Sequence, residues 1–583
     1  MDEEVPPSTQ ATRGADELEA ISTISRVPGN ANYYEKGGLR TEGDGYDHTQ
    51  QNEVNLSFVL VLIGCAIGLS SSQVYALLYL TIGTVIAVDL GRPDLFVWML
   101  SGGILAMGSL APFIGPLADL LGRRFIFLAG YLVSIIGCVV CSATPTAEGF
   151  VAGQVLLGLG AVTLEMLAIA VTSEIVPTSK RPSFLALILL LIIPWSPGTY
   201  YAGLLIKHSW RWIGLVLAIW NLIGLMVIFF GYHPGPRVNA LGRSRKHIVQ
   251  RIDFVGGFGV FAGILIFLYG LNSGGITSPW KSARVLAPLV LGIVVLIMIA
   301  IYEHRWAPYP LFPRRMIHSA RPFWAIILVI FSAGVNYVPL VVFWPVEAIA
   351  VFQGDRETVS VWTIPIGACI LGGAIFSALL LATFRKGAQW TILLFCCVQT
   401  VATGCLAIVN KDNVSSAWAP LVLALFATGG ALVPSQLIIT TITPDDLIAS
   451  VAAFTLAVRA QAQVIGIGIF YNEFEKVVTK RTYEYVVPAF IKIGFLDAET
   501  RQTITSMMSS LTSIPLREFA LAYPQLKDQI SYAIVLEATT DVFAAAFKHM
   551  WYITIAFGVF ACVASAFIGD LSQYMDNHVA VRM

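Results

Sequence analysis

Apolar residues in this chain fall in blocks of about twenty, separated by short polar breaks, along nearly its whole length. The blocks begin near Leu56, Leu95, Phe125, Gly149, Phe184, Trp212, Phe254, Val285, Phe323, Val359, Trp390, Trp418, Ile448 and Met550. A run of about 20 apolar residues crosses the hydrocarbon core as a helix, so the pattern predicts fourteen spans, the first from Leu56 to about Leu80. The breaks carry turn residues, as in "TPTAEG", "NSGGITSPWKS", "NKDNVSS" and "TPDD". An even number of crossings puts both termini on one side. Between the last two blocks, residues 471–547 alternate charged and apolar positions at helical spacing, with breaks at Pro488, Pro515 and Pro524. Two readings stay open for that loop: amphipathic helices resting on the membrane surface, or a lid over the outer mouth.

Basic residues orient the chain. With a cytosolic N-terminus the inside loops hold fifteen Lys and Arg and the short outside loops seven, so both termini are expected in the cytosol. Trp195, Trp210, Trp212, Trp280, Trp306 and Trp418 fall near block ends, where interfacial anchors belong. Residues 1–54 are polar, begin "MDEE" and lack a basic-then-apolar leader, which predicts a disordered cytosolic tail and no cleavable signal. Residues 571–583 form the second tail. The first span must therefore direct its own insertion.

Composition sharpens this picture. The chain is 56% apolar and only 12% charged, against about 45–50% and about 25% for soluble domains. Net charge is zero, so nothing points to nucleic acid. The eight cysteines lie in or beside apolar blocks, where they act as small packing residues. His48, His208, His233, His247, His304, His318, His549 and His578 form no His-x-x-x-His pair. No nucleophile elbow or nucleotide-binding Gly-Lys-Ser/Thr loop occurs, which argues against an enzyme or an ATP-driven pump. No cofactor or metal is expected.

One break differs from the rest. "GPLADLLGRR" sets Gly115, Asp119, Gly122, Arg123 and Arg124 between the second and third blocks, on the inside. The glycines allow close helix approach, and Asp119 can pair with Arg123 at i+4 or meet the positive end of a helix. A purely topogenic loop accounts for the arginines but not for the aspartate and glycines. The stretch resembles the signature loop of the major facilitator superfamily, which latches the two halves of the carrier in the outward-open state. "EIVPTSKR" is similar to that family's acidic–Pro–Arg linker, through Glu174, Pro177 and Arg181, and "FRKG" at 384–387 to a degraded second copy of the signature loop.

The resemblance narrows on "WRW" (210–212), "HPGPR" (233–237), "QRIDFVGG" (250–257), "YPLFPRR" (309–315) and "FWP" (343–345). These look like the fungal branch that holds the trichothecene efflux pumps and, close by, the siderophore–iron carriers. The implied fold is all-α: two six-helix bundles (55–231 and 306–570) with two inserted helices in 232–305, the long loop 471–547 belonging to the second bundle. The implied function is secondary active efflux of a bulky, terpenoid-type metabolite, coupled to protons, by a monomer in the plasma membrane, or alternatively in a vacuolar or vesicle membrane. The alternative is proton-coupled uptake of a ferric siderophore; a channel or an enzyme ranks below both. Two departures stand out. Span five carries "PWSPGTYYAG" in place of the usual antiport glycine–proline pattern, and span four has Gln154 and Glu165 where the family has an arginine.

Ionisable residues inside spans are costly and are functional by default. Two stand out: Glu165, about two turns from the inner end of span four, and Arg459 in mid-span thirteen, which shares a polar stripe with Thr455 and Gln463. Glu165 either carries the coupling proton, gates the cavity with Arg459, or is fixed structure. Gln154, Tyr200, Asn336, Tyr337 and Gln436 are the further cavity candidates, alongside the aromatic Tyr201 and Trp344, each weighed against an ordinary helix–helix contact. Asn413-Val-Ser415 is a possible glycosylation acceptor on the outside.

Overall fold

The computed structural model describes residues 55–571, apart from short stretches of which 235–252, 493–503 and 518–527 are the longest. Both expected tails, most basic residues of the 232–251 loop, and Arg385 and Lys386 of the degraded motif copy lie outside the described residues.

Among the described residues the chain folds as helices, α1 (Leu56–Leu80), α2 (Gly83–Asp89), α3 (Phe96–Leu121), α4 (Arg123–Ala143), α5 (Ala147–Ile175), α6 (Arg181–Leu190), α7 (Gly198–Leu205) and α8 (Arg211–Gly231) forming the first half. Two helices follow, α9 (Phe254–Ser273) and α10 (Ala283–Arg305). The second half comprises α11 (Ala320–Val338), α12 (Trp344–Ala350), α13 (Arg356–Trp362), α14 (Ile364–Thr383), α15 (Ala388–Leu406), α16 (Ser415–Thr441), α17 (Ile448–Arg481), α18 (Val487–Lys492) and α19 (Gln529–Ala566). Side-chain caps start several of them. Thr146 accepts from Gly149 N at the head of α5, Asp253 from Gly256 N at α9, and Asp355 from Thr358 N at α13, satisfying N–H groups that have no helical partner.

Thirteen of the expected crossings are single helical segments long and apolar enough to span a bilayer. The fifth is not. It is divided into α6 and α7 by a short 3₁₀ turn at Ile193–Trp195, because Pro194 and Pro197 lack the N–H a continuous helix needs. The two pieces still traverse the bundle: Arg181 at one end reaches Thr440, and Lys207 beyond the other pairs with Glu357. The ninth crossing carries a π-helical turn, Pro339–Phe343, between α11 and α12.

The 471–547 region departs from the surface-helix expectation. Helix α17 has 34 residues and α19 has 38, about 50 and 57 Å at roughly 1.5 Å per residue against a hydrocarbon core of about 30 Å. Each therefore projects well beyond a membrane, and their apolar faces turn toward each other rather than toward lipid. Phe474 stacks on Phe543 and packs on Phe547, with ring centroids at 6.1 and 5.1 Å. Phe490, Met507 and Leu511 are buried in the same cluster. It caps the end of the second half where α12 lies.

The first half packs around a buried cluster that also takes in Ile448, Ala453 and Ala460 of α17, the second half around clusters of its own, and the halves meet where α3 runs along α17 and α6 along α14. The inserted α9 and α10 pack on each other, and α9 lies against both α3 and α17. Buried Asn272 donates to Ser101 Oγ at 2.8 Å, and Asn472 donates to Gly274 O at 3.0 Å, tying α9 to both halves. The exposed faces are apolar, as with Phe230 on α8 and Met298 on α10, the inverse of a soluble bundle and the pattern a lipid-facing wall requires. Trp212, Trp280 and Trp306 are exposed near helix ends as expected of anchors; Trp210 is buried instead and donates to Asp89 at 2.8 Å.

Candidate functional site

Helix α3 ends at Gly122, whose φ of 92° passes the chain straight into α4. A residue with a Cβ is strained in that conformation, and the tight junction sets Asp119 and Arg123 one turn apart on either side of it. Arg123 Nη2 lies 2.8 Å from Asp119 Oδ1 and also pairs with Glu174 near the end of α5; all three side chains are buried. The other Asp119 oxygen reaches into the second half, accepting from Ser450 N at 2.9 Å and Ser450 Oγ at 2.6 Å. Ser450 is the third residue of α17. The carboxylate thus caps a helix of the opposite half, where the N-terminal dipole favours negative charge by about 0.3–2 kcal/mol.

Arg181 completes the arrangement with the opposite sign. Pro177 O accepts from Lys180 N and Arg181 N, which starts α6 and directs Arg181 inward. Buried Arg181 donates to Thr440 O at 3.2 Å, one of the last carbonyls of α16, while Thr440 Oγ1 lies 3.3 Å from Ser173 Oγ. One half therefore holds the turn between α16 and α17 by both helix ends, an acid on the N-terminus and a base on the C-terminus. Arg124 serves within its own half: it donates to Phe229 O at 2.9 Å and lies over the Phe229 ring.

A second contact joins the halves deeper in the bundle. Arg459 of α17 and Glu165 of α5 form a two-pronged ion pair, with both N–O distances at 2.7 Å and both side chains buried. At roughly 1.5 Å per residue, Glu165 stands about 15 Å from the Ile175 end of α5 and Arg459 about 17 Å from the start of α17. That is nearly three turns for Glu165 rather than two, because α5 runs on to Ile175. Tyr75 of α1 and Tyr337 of α11 lie within electrostatic range of the pair. Four helices, two from each half, therefore converge on this charge pair.

The remaining candidates divide. Gln436 is buried on α16, one turn before Thr440, and among the described residues its amide nitrogen has no hydrogen-bond partner. Tyr337 and Gln463 are half-buried. Tyr200 is half-buried at the α7 end, near Lys207. Three others have hydrogen-bond partners within the protein. Gln154 donates to Cys141 Sγ at 3.6 Å and is a contact between α4 and α5; Asn336 donates to Thr554 O at 3.1 Å, holding α11 to α19; and Thr455 bonds back to Ala452 O on its own helix. Each pairs inside its own half or helix because an apolar surrounding penalises an unpaired polar group. Trp344 is likewise core, donating to Trp362 O and packed on Trp418. Asn413 is exposed, its side-chain oxygen accepting from Ser415 N. Ser450, Thr440 and buried Glu347 escaped the sequence reading; for Glu347 the available signal was a lone acid in the apolar run "FWPVEAIAVF".

A model of the fungal trichothecene efflux pump family matches residues 94–583. The chain belongs to this family. It is 25% identical over 477 residues to the trichothecene efflux pump TRI12 of Fusarium sporotrichioides, covering 80% of this chain and 78% of that protein. It is 25% identical over 475 residues to the MFS-type efflux transporter ffsH of Aspergillus flavipes, covering 79% and 78%. Among solved structures, the MFS proton:xylose symporter XylE aligns with a TM-score of 0.50 at 14% identity, over 89% of this chain and 97% of that one. A bacterial homologue of the human lysosomal transporter Spinster, in an inward-facing state, also gives 0.50 at 14% identity, over 88% and 98%. The fold is the major facilitator fold, and this family member is a multi-pass efflux-type transporter, not an enzyme.

Proposed function

We propose that the chain exports a bulky, mostly apolar secondary metabolite of the terpenoid class by alternating access, in exchange for protons, as a monomer in the plasma membrane with both termini in the cytosol. The observation that carries the reading is the contact of Asp119 with the head of α17. It is polar, interdomain and confined to one end, as a closure that must break once per cycle requires. The basic bias of the short loops supports placing that end in the cytosol, so this structure is closed toward the cell interior. The Glu165–Arg459 pair is the inner gate: each charge is stable in the bundle only with its partner, and parting the halves separates them. The half-buried Tyr200 and Tyr337, with Gln436 and Gln463, offer the few polar groups and ring faces that orient a largely apolar ligand. The family match and the efflux relatives support outward transport. A strain lacking the protein tests the reading. It should become sensitive to a trichothecene-type sesquiterpenoid and grow normally on a ferric siderophore as sole iron source; the reverse pattern assigns siderophore uptake instead.

A further inference from the structure

Glu347 sits in α12, immediately after the π-helical turn of span nine, a departure from α-geometry that is frequent at functional sites. It is only 7% exposed, and among the described residues no cation pairs with it. The contrast with Glu165 is direct, since Arg459 grips both oxygens of that carboxylate. The elements packed on α12 offer Glu347 little. The π-helical turn "PLVVF" carries no titratable group. On α13, exposed Glu357 is paired with Lys207 at 2.9 Å, and the Arg356 side chain lies outside the described residues. On α19, Glu537, Lys548 and His549 are exposed, and half-buried Asp541 stands about 15 Å along the helix from Trp551. Among the described residues the Trp551 indole faces the carboxyl, and there neither Glu347 Oε2 nor Trp551 Nε1 completes a hydrogen bond of normal geometry.

The same seam continues away from the cap. Asn336 of α11 faces α19, donating to Thr554 O one turn beyond Trp551, and Ser332 lies one turn before Asn336 on α11. Ser332 Oγ and Asn336 Oδ1 are buried too and have no hydrogen-bond partner among the described residues. Buried polar atoms in folded proteins nearly always have partners. Four such atoms lie close together on α11, α12 and α19, an acid among them, with no partner of normal geometry among the described residues.

We propose that Glu347 binds the coupling proton while the Glu165–Arg459 pair acts as gate. This rests on the proton-coupled efflux reading above. The proton adds to a Glu347 carboxylate oxygen, neutralising it, and later leaves to water on the opposite side; no bond to substrate forms. A group with this role must exist in both charge states during the cycle, and among the described residues no cation holds Glu347 as carboxylate.

The test uses the full chain in proteoliposomes with a labelled trichothecene-type sesquiterpenoid. Substrate exchange at equal pH is measured beside accumulation driven by a pH gradient. Glu347→Gln should keep exchange and lose accumulation, and Glu347→Asp, which can still ionise, should recover it. Accumulation by Glu347→Gln at the wild-type level overturns the assignment, as does a Glu165→Gln variant that loses accumulation while keeping exchange. If Glu347→Gln loses exchange as well, Glu347→Asp decides: recovery of both activities upholds the role and loss of both refutes it. A wild-type protein that exchanges substrate but ignores the gradient defeats proton coupling itself, a result distinct from a failure at Glu347.

Discussion

Asp119 shows how much one side chain can carry here. Its two oxygens serve three donors, Arg123 within its own half and the N–H and O–H of Ser450 across the interface. Asp119→Asn keeps the shape, but the neutral amide no longer complements the α17 dipole and turns one acceptor into a donor. Hydrogen bonds to charged groups contribute about 1.5–3 kcal/mol each, so losing one moves the balance between closed and open by roughly 10–150-fold toward open. Distance measurements between spin labels at the Asp119 ends of α3 and α17 should show the separated population rise while the protein stays folded and membrane-inserted; an unchanged distribution removes Asp119 from the closure. At this scale the sequence was partly legible. An aspartate four residues before an arginine, flanked by glycines between apolar blocks, marks the motif, and Glu165 and Arg459 stand out because charges inside a span are rare. Their partners were not legible, because Ser450 and Thr440 are ordinary polar residues until the fold brings them 331 and 259 positions back along the chain to Asp119 and Arg181.

At the scale of the element, the α3–α17 contact depends on small residues. A Cβ on Gly115 would lie 2.6 Å from Ala453 Cβ, 2.8 Å from Ser450 Cα and 2.9 Å from Ala449 O. Two of these are backbone atoms that no rotamer change can move aside. Gly115→Val therefore has to push α17 away, at a cost of about 1–3 kcal/mol or more, which also draws Ser450 from Asp119. Transport at matched membrane level should fall sharply, whereas Gly372→Ala, with its nearest neighbour 3.8 Å away, should leave it unchanged. Equal behaviour of the two variants contradicts the close-approach account. Helix positions were the most legible feature of the sequence, since each apolar block maps to a crossing. The break in span five was signalled by Pro194 and Pro197, which make a crossing discontinuous without shortening its apolar run. The extensions of α17 and α19 were harder to see: an amphipathic pattern states that one face is buried, not whether lipid or another helix buries it.

The whole molecule is two helical halves joined by polar groups at the Asp119 end, by the buried Glu165–Arg459 pair and, at the opposite end, by the exposed Lys207–Glu357 pair, with an inserted helix pair bonded to both and a cap built over one. This organisation matters because a carrier works only if each closure is strong enough to exclude leak and weak enough to open. The contacts at the Asp119 end meet that condition: they are few and charge-assisted, and they are set at helix termini, where small movements break them. The most direct measurement of the central claim is uptake of a labelled trichothecene-type sesquiterpenoid by inside-out membrane vesicles containing the protein. The account predicts accumulation when the vesicle interior is acid, collapse of that accumulation when the proton gradient is dissipated, and loss of both gradient-driven uptake and exchange on Glu165→Gln or Arg459→Gln. Accumulation that ignores the gradient, or a Glu165→Gln variant that transports like the wild type, would contradict it.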